Sequence, residues 1–114
     1  MNDSILTSIK KDLGLTAEQK EFDSQIINAI NTALMVLGQN GVGPDEGFMI
    51  TSEMETWGEF IGDSANNMVG VKTYVYLSAK LDFDPPENAS LLAAMQARHR
   101  ELEWRLNVQA ETSV

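Results

Sequence analysis

The segment from Ser64 to Phe83 constrains the fold most, because it runs for about twenty residues without a turn signal. Residues 69–77 within it are β-branched and aromatic, which would also suit a strand. A strand of this length would be unusual, however, and apolar residues recur at helical spacing on more than one face. These residues are Met68, Val71, Tyr74, Val75, Leu77, Ala79 and Leu81. We therefore predict a buried central helix here, with a strand as the alternative.

Two helices are predicted in the amino-terminal third of the chain. The first runs from about Ser4 to Leu13, with Asn2 or Asp3 as its N-cap and Gly14 just past its end. The second runs from Asp23, which has the side chain of an N-cap, to about Leu37. Its apolar stripe consists of Phe22, Ile26, Ile30, Ala33, Leu34 and Leu37.

A glycine-rich loop is predicted after the second helix, because four glycines and one proline occur between Gly38 and Gly47. A short third helix follows this loop. Ser52 and Glu55 have the spacing of a capping box at its start. Its predicted apolar face consists of Met54, Trp57, Phe60 and Ile61.

The Asp84-Pro85-Pro86 sequence ends the central helix, since proline cannot continue a helix and restrains the residue before it. Asn88 is placed to cap a last helix that runs to about Leu106. The core stripe of that helix is predicted to be Leu91, Met95, Leu102 and Leu106. Residues 106–114 lose the periodicity, so we predict a flexible tail there. Residues 1–114 are expected to form one all-α domain, a compact bundle of four to five helices with a glycine-rich loop between helices two and three.

The residues needed for catalysis or metal binding do not occur in a recognisable pattern. The chain has no cysteine and a single histidine, His99, which has no triad or metal-ligand partner at a suitable spacing and is expected to be solvated. Asp82 and Asp84 resemble the start of a calcium loop, but Glu87 and Ala93 occupy the positions where an EF-hand needs glycine and glutamate. The glycine-rich loop lacks the Gly-Lys-Ser/Thr of a phosphate-binding loop. We predict no enzymatic activity and no cofactor.

The net charge of −9 argues against direct binding of nucleic acid. Between Glu21 and Val71 there is no Lys or Arg, whereas recognition of phosphates needs clustered cations. No apolar run is long enough to span a bilayer, and charges interrupt the apolar residues at the amino terminus, unlike a signal peptide. We expect an intracellular protein that does not contact a membrane.

Two helix faces are left over once the predicted core is filled. On the last helix, Trp104 lies about 200° around from Leu102 and points away from the core stripe, on the same side as Ala93, Ala97 and Val108. Such a face fits the docking of another helix, but the amino-terminal helix could equally cover it. The second helix has an uncharged polar face consisting of Gln25, Asn28, Asn31, Thr32, Met35 and Gln39. Because subunit interfaces lose charge toward their centre, this face indicates contact with another chain, or is simply solvated.

Four stretches carry a family resemblance: MNDSILTSIKKDLGL, INTALMVLGQNGVGP, VKTYVYLSAKLDFDPP and ELEWRLNVQAE. The last two are the most specific. Together they resemble the small head–tail connector (adaptor, or head-completion) proteins of long-tailed phages and prophages of Gram-positive bacteria. The chain departs from that pattern at Ser78 and Asp82, where the relatives carry more aliphatic residues.

The resemblance implies a structural virion protein with no catalytic residues. Such a subunit forms a ring under the portal, usually a dodecamer, which extends the DNA channel and joins capsid to tail at the virion neck after assembly in the bacterial cytoplasm. The implied partners are further copies of the chain, the portal protein and the next neck or tail component, with DNA only as cargo. Portal contact is implied for the region from Trp104 to Val114. The candidate interface residues are Asn28, Asn31, Met35, Ala93, Ala97, Trp104, Arg105, Asn107 and Val108.

Two other classes of function are compatible with the sequence. Another phage morphogenesis factor, such as a tail-assembly chaperone or a tail-terminator-like protein, would bind tail proteins rather than the portal. A small regulatory helical module, such as an antitoxin or a transcription-factor partner, would need a basic DNA-reading helix, which the sequence does not contain.

Overall fold

The computed structural model describes residues 3–61 and 65–112. Within these ranges the chain forms five helices and no strand, apart from one isolated bridge between Ser4 and Thr56. The helices are α1 (Ile5–Asp12), α2 (Asp23–Gln39), α3 (Trp57–Ile61), α4 (Ala65–Phe83) and α5 (Ala89–Thr112). The predicted all-α bundle is therefore confirmed, and residues 69–77 are helical.

The central helix of the bundle is α4, as its sequence predicted. It packs extensively against both α2 and α5 and also contacts α1. Val71, Tyr74, Val75 and Ala79 are all fully buried or nearly so. A helix that is apolar on most sides can only be accommodated by surrounding it with other elements, and this is the arrangement observed.

The amino-terminal cap of α1 differs from the prediction. Ser4 is the N-cap, and its side chain accepts a hydrogen bond of 3.1 Å from the backbone N–H of Thr7. Asp3 is therefore not the cap, and Asn2 lies outside the described residues. Gly14 follows the helix with a φ of +86°, the left-handed conformation that favours glycine at this position.

Asp23 is the first residue of α2 and not its N-cap, because its carboxylate has another role. Its Oδ1 atom lies 2.8 Å from Nζ of Lys10, whose side chain is only 3% exposed. The same ammonium group donates to the carbonyl of Ala17 at 3.3 Å. A buried charge must be paired, so the Asp23 carboxylate forms an ion pair with Lys10. Phe22 is the N-cap residue, and it makes no side-chain hydrogen bond.

The third helix begins at Trp57, and its capping box lies four residues further along the chain than the predicted one. Thr56 and Glu59 form the reciprocal pair: the Thr56 N–H donates to Oε1 of Glu59 at 3.0 Å, and the Glu59 N–H donates to Oγ1 of Thr56 at 3.2 Å. The same spacing at Ser52 and Glu55 only closes the preceding turn, where the Ser52 N–H donates to Oε1 of Glu55 at 3.1 Å. Met54 is consequently exposed, contrary to prediction. Starting the helix at the second box brings into the core Trp57 and Phe60.

The last helix is capped by Asn88 as predicted, since its Oδ1 atom accepts from the Leu91 N–H at 3.0 Å. It continues to Thr112 rather than ending near Leu106, because residues 107–112 include no glycine or proline, and glutamine, alanine and glutamate among them are good helix formers. The flexibility predicted for residues 106–114 stays a prediction. Leu91 is 52% exposed, so its assignment to the core is wrong. The less exposed stripe of α5 consists of Leu92, Met95, His99, Leu102 and Leu106. Two of these residues contact α4: His99 stacks on Tyr74, and Leu106 lies against Gly70.

Candidate assembly surfaces

One side of α5 faces away from α4 and is open to solvent. We call it the Trp104 face, and it consists of Ala93, Ala97, Arg100, Trp104 and Val108. The Trp104 side chain is 63% exposed. The alternative that α1 covers this side is wrong for Trp104, because α1 packs against α2 and α4 and leaves the indole exposed.

Two shallow depressions flank Trp104, so its indole stands between them as a ridge. The larger, of about 470 Å³, is lined by Gly70, Leu106 and Val108 among others. The smaller, of about 310 Å³, is lined by Asn40, Arg100, Glu103 and Asn107. Asn107, a predicted interface residue, is half-buried in this second depression.

Arg105 lies beside the Trp104 face and forms the predicted pair within the helix. Its guanidinium Nη2 lies 2.9 Å from Oε1 of Glu101, and Nε donates to the same oxygen at 3.1 Å. Both side chains are largely exposed, so the pair stabilises α5 by only a few tenths of a kcal/mol. A partner would meet Arg105 as part of this pair.

An open groove of about 870 Å³ lies between the uncharged face of α2 and the glycine-rich loop. We call it the α2 groove. The helix contributes Asn28, Thr32, Met35 and Gln39, and the loop contributes Asp45, Glu46, Phe48 and Met49. Met35 is 54% exposed and Met49 is 67% exposed, so apolar side chains form part of both walls. The sequence predicted the helix wall but not the loop wall.

Asn31 holds the loop wall in place. Its Nδ2 donates to the carbonyl of Ile50 at 3.0 Å, and its Oδ1 accepts from the Ile50 N–H at 2.8 Å. Both ends of the amide are therefore bonded within the chain, so Asn31 shapes the groove more than it offers hydrogen bonds to a partner. Gly43 fixes the loop from the other side: its φ is +97°, and a Cβ there would lie 2.5 Å from the Phe60 ring.

A polar cluster joins α4 to α5, and it corrects the expectation that His99 is solvated. The His99 ring is half-buried and stacks on Tyr74 with ring centroids 4.4 Å apart. Its Nε2 lies 2.6 Å from Oγ of Ser78, and the Tyr74 hydroxyl donates to Oε1 of Glu103 at 2.9 Å. Burial lowers the pKa of His99, against the opposing effects of Glu103 and Asp82. Burial, followed by the bond to Glu103, raises the pKa of Tyr74 above its ordinary range.

The lowered pKa of His99 predicts that acid weakens the fold at this cluster. The unfolded chain, whose histidine pKa is about 6.5, binds a proton more readily than the folded chain. The contribution of neutral His99 is therefore fully present above about pH 6.5 and is lost as the pH falls toward the folded pKa. We expect His99→Gln, which cannot titrate, to lose less free energy of unfolding between pH 7 and pH 5 than the native chain. Urea unfolding at both pH values measures this, and equal losses in the two proteins would contradict it.

The side chains at the Trp104 face and the α2 groove determine what these surfaces offer chemically. No helix among the described residues is long and apolar enough to cross a membrane. No group of three or more His, Cys, Asp or Glu side chains in that part of the chain is arranged to hold a metal ion. The chemistry available at the Trp104 face and the α2 groove is that of protein contact: an indole, methionines, amides, and charges of opposite sign.

Comparison with known proteins identifies the family. No curated protein and no solved structure matches the chain significantly. A family model described as phage connector protein matches residues 5–113, which spans the fold from the first residue of α1 to the end of α5. Because this match covers nearly the whole chain, the protein belongs to the phage connector protein family.

Proposed function

We propose that this connector protein forms a ring under the portal, extends the DNA channel there and joins the capsid to the tail. The observation that carries the proposal is the contrast between its two tryptophans. Trp57 is fully buried, whereas Trp104 is 63% exposed on a helix face that also carries Ala93 and Ala97. Tryptophan is enriched at the energetic centres of protein interfaces, so this exposed indole supports a subunit that acts by contact.

A closed ring needs two different patches on each subunit, related by a rotation that brings the last copy back to the first. The Trp104 face lies on the side of α5 that turns away from α4. The α2 groove lies on the side of α2 that turns away from the core. Two separate surfaces, one on α5 and one on α2 with its following loop, support a ring, for which twelve copies would match the portal symmetry.

The carboxy-terminal end of α5 is the proposed contact with the portal. The helix continues beyond the buried Leu106 as far as Thr112. DNA is proposed only as cargo that passes through the channel. This is supported by the net charge of −9 and by the absence of Lys and Arg between Glu21 and Val71, because such a surface does not hold phosphates. The proposed location is the virion neck, after assembly in the bacterial cytoplasm.

Co-purification with the portal protein tests this function. The chain is co-expressed with a tagged portal protein of the same phage, and in parallel with a tagged tail protein, and the complexes are imaged by negative stain. We expect the chain to co-purify with the portal and to add a ring of density at one end of it. Binding to the tail protein alone would instead indicate a tail-assembly chaperone or tail terminator, and binding to neither would contradict a connector role.

A further inference from the structure

We infer that the Trp104 face of one subunit docks in the α2 groove of the next, so that a second copy of this chain is the occupant of the groove. The inference rests on the proposed ring and states which surfaces form it. Each subunit would then contact one neighbour through its Trp104 face and the other neighbour through its α2 groove. This is the heterologous contact that a closed ring requires.

The two surfaces match in their apolar chemistry. The α2 groove presents the exposed methionines Met35 and Met49, with Phe48 in its loop wall. Methionine adapts its shape to a partner and makes favourable sulfur contacts with aromatic rings, so these walls suit an indole. On the other surface, Ala93 and Ala97 lack bulk beside Trp104, which lets the backbone of α5 approach the groove closely.

The two surfaces also match in charge. Asp45 and Glu46 are exposed at the loop wall of the groove, and neither has a salt-bridge partner among the side chains that the structure describes. Arg100, on the Trp104 face, likewise has no salt bridge within the described residues. An arginine can bind a carboxylate through two parallel hydrogen bonds, and here the partners lie on different surfaces of the subunit.

The charges of the two surfaces favour docking of the Trp104 face in the α2 groove over a contact between two identical surfaces. The α2 groove carries acidic side chains and no cation in its lining, so two grooves facing each other would bring like charges together. In a contact between two Trp104 faces, the carboxylates nearest to Arg100 along the helix, Glu101 and Glu103, are already bonded to Arg105 and Tyr74. The pairing of one face with the groove brings Arg100 to Asp45 and Glu46, all three without a salt bridge within the described residues, as well as the indole to the methionines.

Crosslinking between single-cysteine variants tests the docking, because the native chain contains no cysteine. Ala97→Cys places a thiol on the Trp104 face and Gln39→Cys places one in the groove, without removing any of the proposed partners. The two variants are mixed with portal protein and treated with a short bismaleimide. We expect a covalent heterodimer of Ala97→Cys with Gln39→Cys at least tenfold more abundant than either homodimer, or than the pairing of Ala97→Cys with the exposed control Glu18→Cys.

A charge exchange provides the second arm. Arg100→Glu alone and Glu46→Arg alone are each expected to lower the yield of rings on the portal at least tenfold. The chain that carries both changes is expected to recover most of that yield. No recovery in the double variant, or crosslinks only between identical positions, would overturn the docking. Portal binding is measured in the same samples: a ring on the portal without the heterodimer refutes the docking alone, whereas loss of native portal binding refutes the proposed function as well.

Discussion

Trp57→Ala is expected to lower the free energy of unfolding by about 3–5 kcal/mol, as truncation of a fully buried tryptophan does. The indole lies in the core, and its Nε1 donates a hydrogen bond of 2.7 Å to Oγ of Ser8. The Lys72 ammonium lies 5.8 Å from the ring centroid. Truncation would leave a cavity where α1, α3 and α4 meet. Since a domain of this size has only about 5–15 kcal/mol of stability, the variant would be partly unfolded near 37 °C. Urea unfolding followed by circular dichroism measures the loss.

Trp57→Phe is the matched control for this prediction. It keeps most of the buried ring and loses the hydrogen bond to Ser8, so its loss of stability should be clearly smaller than that of the alanine variant. If Trp57→Ala cost less than about 1 kcal/mol, the packing of α3 against the rest of the bundle would be wrong.

Trp104→Ala is expected to have the opposite pattern, with the fold intact and assembly lost. A tryptophan at the centre of an interface typically contributes about 2 kcal/mol or more, which corresponds to roughly thirtyfold in affinity at each subunit contact. The effect repeats at every contact around a ring, so rings on the portal should disappear. Stability should change by less than about 0.5 kcal/mol, because the side chain is mostly exposed and alanine is the better helix former. Co-purification with the portal and urea unfolding of the free chain measure the two effects.

Met54→Ala is the control for exposure alone. Met54 is 77% exposed and lines neither the Trp104 face nor the α2 groove, so its truncation should leave assembly and stability unchanged. Equal loss of rings in the two variants would show that the contact is not specific to Trp104. Unchanged assembly in Trp104→Ala would remove the Trp104 face from the interface.

Local sequence signals predicted the helices well where one signal dominated. The α4 segment is about twenty residues long and apolar on most sides, which favoured a buried helix over the alternative of a strand, and the segment is helical. Asn88 after two prolines left a single position for the start of α5. The direction of Trp104 away from the core stripe also followed from 100° per residue. Its exposure did not, because α1 could equally have covered it, and only the fold shows that the indole is open to solvent.

The sequence predictions failed where the answer depended on a distant residue. The register of α5 could be built on Leu91 or on its neighbour Leu92, and the second choice places His99 against Tyr74, a partner on another helix. In the sequence alone, nothing indicates that Asp23 pairs with Lys10 instead of capping α2, because the two residues are thirteen positions apart. The loop wall of the α2 groove depends on hydrogen bonds from Asn31 to a residue nineteen positions away. Spacing within one helix contains no record of such contacts.

A cryo-EM reconstruction of this chain bound to its portal tests the ring and its subunit interface together. We expect a closed ring of copies that shares the portal axis, with every Trp104 indole buried between neighbouring subunits. Copies bound singly away from the channel axis, or a closed ring in which Trp104 stays exposed to solvent, would contradict it.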